Sequence, residues 1–105
     1  FILSLVKNIG DKTSMRIEMV PGFNWRESIK PKLPGNPDWC PATHFGYLSQ
    51  GEMAVEFEDG SNMTIKAGDS YLIDKPHIPI IKGDQSAIMF EYSQQVKKVV
   101  DSMDK

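Results

Sequence analysis

The sequence is short of the features that mark several large protein classes. It holds a single cysteine, Cys40, so no intrachain disulfide can form and a disulfide-stapled secreted scaffold is excluded. A reducing, cytoplasmic compartment is the corresponding expectation. No apolar run approaches the roughly 20 residues of a membrane-spanning helix. Runs such as Phe1–Leu3 and Ile78–Ile81 are far too short, and the second contains Pro79. Twelve Lys and Arg stand against 14 Asp and Glu with no basic cluster, which argues against a nucleic-acid footprint. Internal repeats and low-complexity segments are absent, as is the strand–helix spacing of a parallel doubly wound sheet. Only two histidines are available for chemistry, His44 and His77.

What remains is the composition of a small globular domain. The 105 residues are 40% apolar and 25% charged, with a net charge of −2. A length at the ordinary domain size of roughly 100–150 residues predicts one domain over residues 1–105.

Period-two alternation dominates from residue 15 to residue 92. Met15, Ile17 and Met19 alternate with Arg16 and Glu18. Met53, Val55 and Phe57 alternate with Glu52, Glu56 and Glu58, and after Asp59-Gly60 the pattern resumes with Met63, Ile65 and Ala67. Two alternating runs joined across Asp-Gly predict a β-hairpin. Further strands are predicted at Ser70–Asp74, His77–Ile81 and Ala87–Tyr92, separated by turns at Gly68-Asp69 and Gly83-Asp84. The opening Phe1–Ile9 reads as a first strand, because no basic region or small-residue cleavage site flanks it as a signal peptide would require. Short strands at this spacing predict a sandwich or small barrel.

Two stretches depart from the alternation. Residues 21–41 carry five of the seven prolines, so they predict a long loop rather than a central strand. Long ordered loops in small domains tend to be functional. At the other end Val96, Val99, Val100 and Met103 follow the i, i+3, i+4, i+7 rule and predict a short C-terminal helix over about residues 94–104.

Residues Thr43 to Tyr92 resemble the cupin superfamily. Its first motif ends in glutamate, six residues and glycine; His44, six residues and Gly51 keep that spacing, with histidine in the glutamate's place. Gly68-Asp69 opens the second motif, and the motif-bearing core runs over about residues 38–92. A narrower group of single-domain cupins is also similar, through Trp25, Lys30-Pro31, Cys40-x-x-x-His44-x-Gly46-Tyr47, Asp59-Gly60, His77 and Gly83-Asp84. The resemblance implies an all-β jelly-roll barrel of the cupin type, a C-terminal helix and a homodimer in which the first strand is the exchanged or interface strand.

The departures from the cupin pattern bear on chemistry. Metal-binding cupins carry a His-x-His pair shortly before the glutamate. Those positions here hold Asp38 and Cys40, or Pro37 and Trp39, depending on the register counted. In the second motif the ligand position holds Pro79, and His77 lies two residues earlier, on the same strand face but roughly 7 Å along it. The familiar three-histidine, one-glutamate site is therefore not expected.

Two functions of different class follow. The first is a cupin that binds a small molecule without turnover, its pocket lined by His44, His77 and Cys40, with Trp25 and Trp39 as stacking surfaces. The second is a metal-dependent enzyme of the dioxygenase, isomerase or lyase kind. There His44 and His77 ligate a divalent ion (zinc, iron, manganese or nickel), with Cys40 or Asp38 as third ligand. The absent His-x-His pair favours the first. Cys40 beside an imidazole is also a candidate nucleophile, and Lys30 a candidate contact for an anion. Glu91 shares a strand face with Ala87 and Met89, but the inward parity of that strand is open. Phe45 and Tyr47 are assigned to core or dimer-interface packing.

Overall fold

The computed structural model describes residues 1–92; the helix expected at about 94–104 lies outside the described residues. Among the described residues eight strands are present: β1 (Ile2–Ile9), β2 (Lys12–Met19), β3 (His44–Gln50), β4 (Glu52–Phe57), β5 (Asn62–Lys66), β6 (Ser70–Ile73), β7 (His77–Lys82) and β8 (Ala87–Tyr92). They form two antiparallel sheets, one of five strands in the order β1-β2-β8-β3-β6 and one of three in the order β5-β4-β7. This is the two-sheet, all-β jelly-roll arrangement that the resemblance implies. Among the described residues no helix is long and apolar enough to cross a membrane.

The alternation in the sequence becomes the inward faces of the two sheets. Met15, Ile17 and Met19 of β2, Leu48 of β3 and Ala87 and Met89 of β8 meet Met53, Val55 and Ile65 of the smaller sheet in one buried cluster. The predicted hairpin is β4–β5, in register from Glu52 opposite Lys66 to Glu56 opposite Asn62. Gly51, between β3 and β4, has a φ of +86°, and a Cβ there would lie 2.7 Å from the Ser86 carbonyl oxygen. Only glycine makes that corner without strain.

The proline-rich segment holds more structure than a loop. Residues Trp25–Ser28 form one helical turn, α1, capped by the Asn24 side chain, which accepts from the Glu27 N–H at 3.2 Å. A 3-10 turn at Lys30–Lys32 follows, with proline in its first turn. These turns are too short for a periodic signal to reveal them. Trp25, Ile29 and Leu33 pack with Cys40, Ala42 and Ile78 in a second buried cluster, so the loop is pinned to the outer side of β7.

Phe45 and Tyr47 are not core residues. They alternate outward from β3 and are 56% and 42% exposed, near Leu72 and Tyr92 on the same outer face.

Leu48 is fully buried between the sheets. Leu48→Ala is expected to lower the unfolding free energy by about 2–5 kcal/mol in urea titration, the range for an aliphatic core truncation that leaves a cavity.

Candidate metal centre

The end of the long loop, the start of β3 just after it and the distant start of β7 deliver side chains to one end of the barrel. Cys40 ends the long loop, and its backbone pairs with His77 at the start of β7. The Cys40 N–H donates to the His77 carbonyl at 2.8 Å, and the His77 N–H donates back at 3.2 Å. Residues paired in this way share a sheet face. His44 opens β3 only four residues later, opposite Ile73 of β6. The two imidazoles meet edge to face, with ring centroids 4.8 Å apart.

The donor atoms converge. Cys40 Sγ lies 3.8 Å from His44 Nε2, and one ligand atom each from Cys40, His44 and His77 fall within 4.8 Å of one another. Cys40 and His77 are buried, and the His44 side chain keeps 17% of its surface exposed. The Nδ1 atoms are already engaged. His77 Nδ1 is 2.9 Å from the Lys75 carbonyl oxygen, which only accepts, so this nitrogen carries the hydrogen and Nε2 is left to act as a ligand. His44 Nδ1 is 2.8 Å from Glu91 Oε1, and the other carboxylate oxygen, Oε2, accepts from the Tyr71 hydroxyl at 2.6 Å.

Burial is the largest single influence on the Cys40 thiol and pushes its pKa up, because it disfavours the thiolate. Hydrogen bonds and charge from His44 and His77 outweigh that and bring it down to about 6. At His44 burial again acts first, lowering the value. The charge of Glu91 and the hydrogen bonds to Cys40 and Glu91 overcome it and raise the imidazole to about 10. The metal-free pair is thus a thiolate beside an imidazolium. Tyr71 is pushed well above the ordinary phenol value by burial and by the charge and hydrogen bond of Glu91, so it remains a donor.

A metal ion fits these residues. One thiolate and two imidazoles make a donor set suited to zinc, iron or nickel better than to manganese. Tetrahedral zinc bonds would set such donors roughly 3.5 Å apart, close to the Cys40–His44 separation of 3.8 Å.

Other residues singled out in the sequence fall elsewhere. Asp38 points away from the three donors, with its side chain 71% exposed and ion-paired to Lys30. That pair holds the Asp38 carboxyl below the ordinary range through the Lys30 hydrogen bond first and its charge second. Trp25 is buried in the cluster that also contains Cys40. Trp39 is half-buried against that cluster, with the Arg26 guanidinium 5.0 Å from its ring centroid. Glu91 is the site residue that sequence reasoning left undecided; it faces inward and is 2% exposed.

The fold has counterparts among solved structures. A crystallised protein of Neisseria meningitidis superposes with a TM-score of 0.59 at 18% identity, over 84% of this chain and 78% of that one. A cupin-2 domain containing protein from Shewanella frigidimarina superposes with a TM-score of 0.54 at 19% identity, over 81% and 74% of the two chains. At such identities the likeness concerns the fold, and the fold is that of a small cupin. No family model and no curated protein matches the sequence.

In metal-free protein the ultraviolet absorbance of the thiolate is expected to titrate with a midpoint of about 6. In His44→Ala, where burial is opposed by only one of the two histidines, the midpoint is expected to rise toward the ordinary thiol value of about 8.5.

Proposed function

We propose that this chain binds one divalent metal ion through Cys40, His44 and His77, and uses it to hold a small-molecule ligand at the end of the barrel. The observation that carries this reading is the convergence of one sulfur and two ring nitrogens, from three separate segments, within 4.8 Å. Zinc or ferrous iron suits the thiolate and imidazoles best. Three protein ligands would leave a position for an exchangeable ligand. Bound there, the ion would supply Lewis-acid polarisation of a ligand oxygen.

The chain's own residues supply the rest. The Lys75 carbonyl holds the His77 ring by its Nδ1–H. The cluster of Trp25, Ile29, Leu33 and Ala42 keeps Cys40 out of water from the loop side. Partial exposure of His44 leaves an approach from solvent.

A second reading draws on the same atoms. Cys40, His44 and Glu91 stand in the order of nucleophile, base and orienting carboxylate, which is the arrangement of an activated thiol. Metal content separates the two. Elemental analysis after loading with zinc or iron is expected to find about one ion per chain, lost in His44→Ala and His77→Ala and retained in Asp38→Ala. No stoichiometric metal under any loading condition would leave the thiol reading.

We further propose that two copies pair across the outer face of the five-stranded sheet. Phe45, Tyr47, Leu72 and Tyr92 are exposed there, and Ile2, Leu5, Val6 and Ile9 are exposed along the β1 edge. Apolar side chains this numerous on a small domain are commonly covered by a partner. Light scattering should give the mass of two chains, reduced to one in Phe45→Glu; a single-chain mass for the unaltered protein would remove the proposal.

A further inference from the structure

We infer that Gly46, Tyr71 and Glu91 form a positioning unit that fixes the His44 ring with its Nε2 toward Cys40 and His77. The inference rests on the metal reading for its purpose but not for its geometry.

Three neighbouring strands build the unit. In register, Gly46 of β3 stands opposite Tyr71 of β6 on one side and opposite Glu91 of β8 on the other. Adjacent strands lie about 4.8 Å apart, so β6 and β8 are roughly 10 Å from each other. Their side chains nevertheless meet, with the Tyr71 hydroxyl donating to Glu91 Oε2 at 2.6 Å. That contact passes over the middle strand, and it exists because the middle residue has no side chain. A Cβ on residue 46 would lie 2.9 Å from Glu91 Cγ and 3.1 Å from the Tyr71 hydroxyl oxygen, besides 2.4 Å from the Phe90 carbonyl oxygen.

The backbone at this position does not itself demand glycine. Seven glycines of the chain have positive φ, and Gly46 is not among them. Space for the Tyr71–Glu91 bond and for the neighbouring chain is what the missing side chain provides.

The two carboxylate oxygens of Glu91 have separate duties. Oε2 is taken by Tyr71, and Oε1 accepts from His44 Nδ1 at 2.8 Å. A carboxylate held at both oxygens cannot turn without losing one bond. Glu91 therefore keeps the His44 hydrogen on Nδ1, which frees Nε2 to act as a ligand. His77 differs, because its Nδ1 is held by the backbone carbonyl of Lys75. Orientation of His44 can be altered by substitution, whereas that of His77 is built into the main chain.

The test uses cobalt(II) and the full chain. Cobalt affinity is measured by competition with a chelator, and the imidazole N–H protons of metal-free protein are followed by NMR. Glu91→Leu, which removes both acceptor oxygens at similar volume, is expected to weaken cobalt binding about 10–100-fold. It should also abolish the protected Nδ1–H signal of His44 while leaving that of His77. Glu91→Gln, which keeps one acceptor oxygen, is expected to fall between the two, and Tyr71→Phe to show a smaller loss with faster exchange of the same proton. Gly46→Ala should resemble Glu91→Leu; if it fails to fold, the Glu91 and Tyr71 variants carry the test. A folded Glu91→Leu protein that binds cobalt like the unaltered chain, or that keeps the His44 signal, would overturn the inference. If the unaltered chain takes up no cobalt, the metal reading falls. The NMR signal then decides the positioning role alone: its loss in Glu91→Leu upholds the role and its persistence overturns it.

Discussion

A carboxyl group at 2% exposure inside a barrel of this size is costly unless its oxygens find partners. Glu91 sits on β8, in the middle of the five-stranded sheet, with Met15 of β2 on one side and Gly46 of β3 on the other. Met15 offers no donor, so the compensation has to come from the β3 side and beyond it. There it takes the form of an imidazole on β3 and a phenol on β6, reached across a residue without a side chain. The requirement to satisfy one buried carboxyl group thus couples three strands and selects glycine, tyrosine and histidine at fixed positions. Among the described residues no buried side-chain nitrogen or oxygen is left without a partner.

The second constraint is closure of the proline-rich segment. Prolines cannot supply ladder donors, so the segment crosses the outer side of β7 and rejoins the sheet only at Cys40, through two backbone hydrogen bonds to His77. Trp25, Ile29 and Leu33 supply the apolar area that holds it there. The Cys40 thiol is thereby carried on a loop and fixed by a rigid scaffold, the usual division of labour between the two.

The sheet strands were legible because each is half-buried, and half-burial writes itself as period two. Asp59-Gly60 located the one hairpin that needed no tertiary information. The alternation of β8 was equally plain, but alternation alone does not say which parity faces in. Glu91 could have been read as solvent-facing until β8 was seen between β2 and β3. The missing His-x-His pair weighed against a metal, because the count assumed that ligands before His44 come from a strand continuous with it. Cys40 reaches the site instead as the lateral neighbour of His77, a pairing across 37 positions of sequence that no local pattern encodes. The roughly 7 Å displacement of His77 from the family's ligand position likewise matters only if the other ligands stay where the family has them. In this chain Cys40 and His44 stand beside it, one donor atom of each lying within 4.8 Å of the others. The role of Gly46 was hidden for a similar reason, since its use depends on two residues that become its neighbours only in the folded sheet.

Charge explains why a cation complements this arrangement. Cys40, as thiolate, and Glu91 bring two negative charges to one poorly hydrated end of the barrel. In metal-free protein the imidazolium of His44 stands between them and offsets one. The other is stabilised chiefly by hydrogen bonds, from Tyr71 to Glu91 and from the histidines to Cys40. Two positive charges at the position shared by the donors would balance the site in full and leave His44 its Nδ1 hydrogen for Glu91. A histidine at position 44 and a cysteine from the loop thus leave a donor set that could hold a metal ion. The carboxyl group of Glu91 stands behind His44 and holds its Nδ1, rather than standing among the three donors.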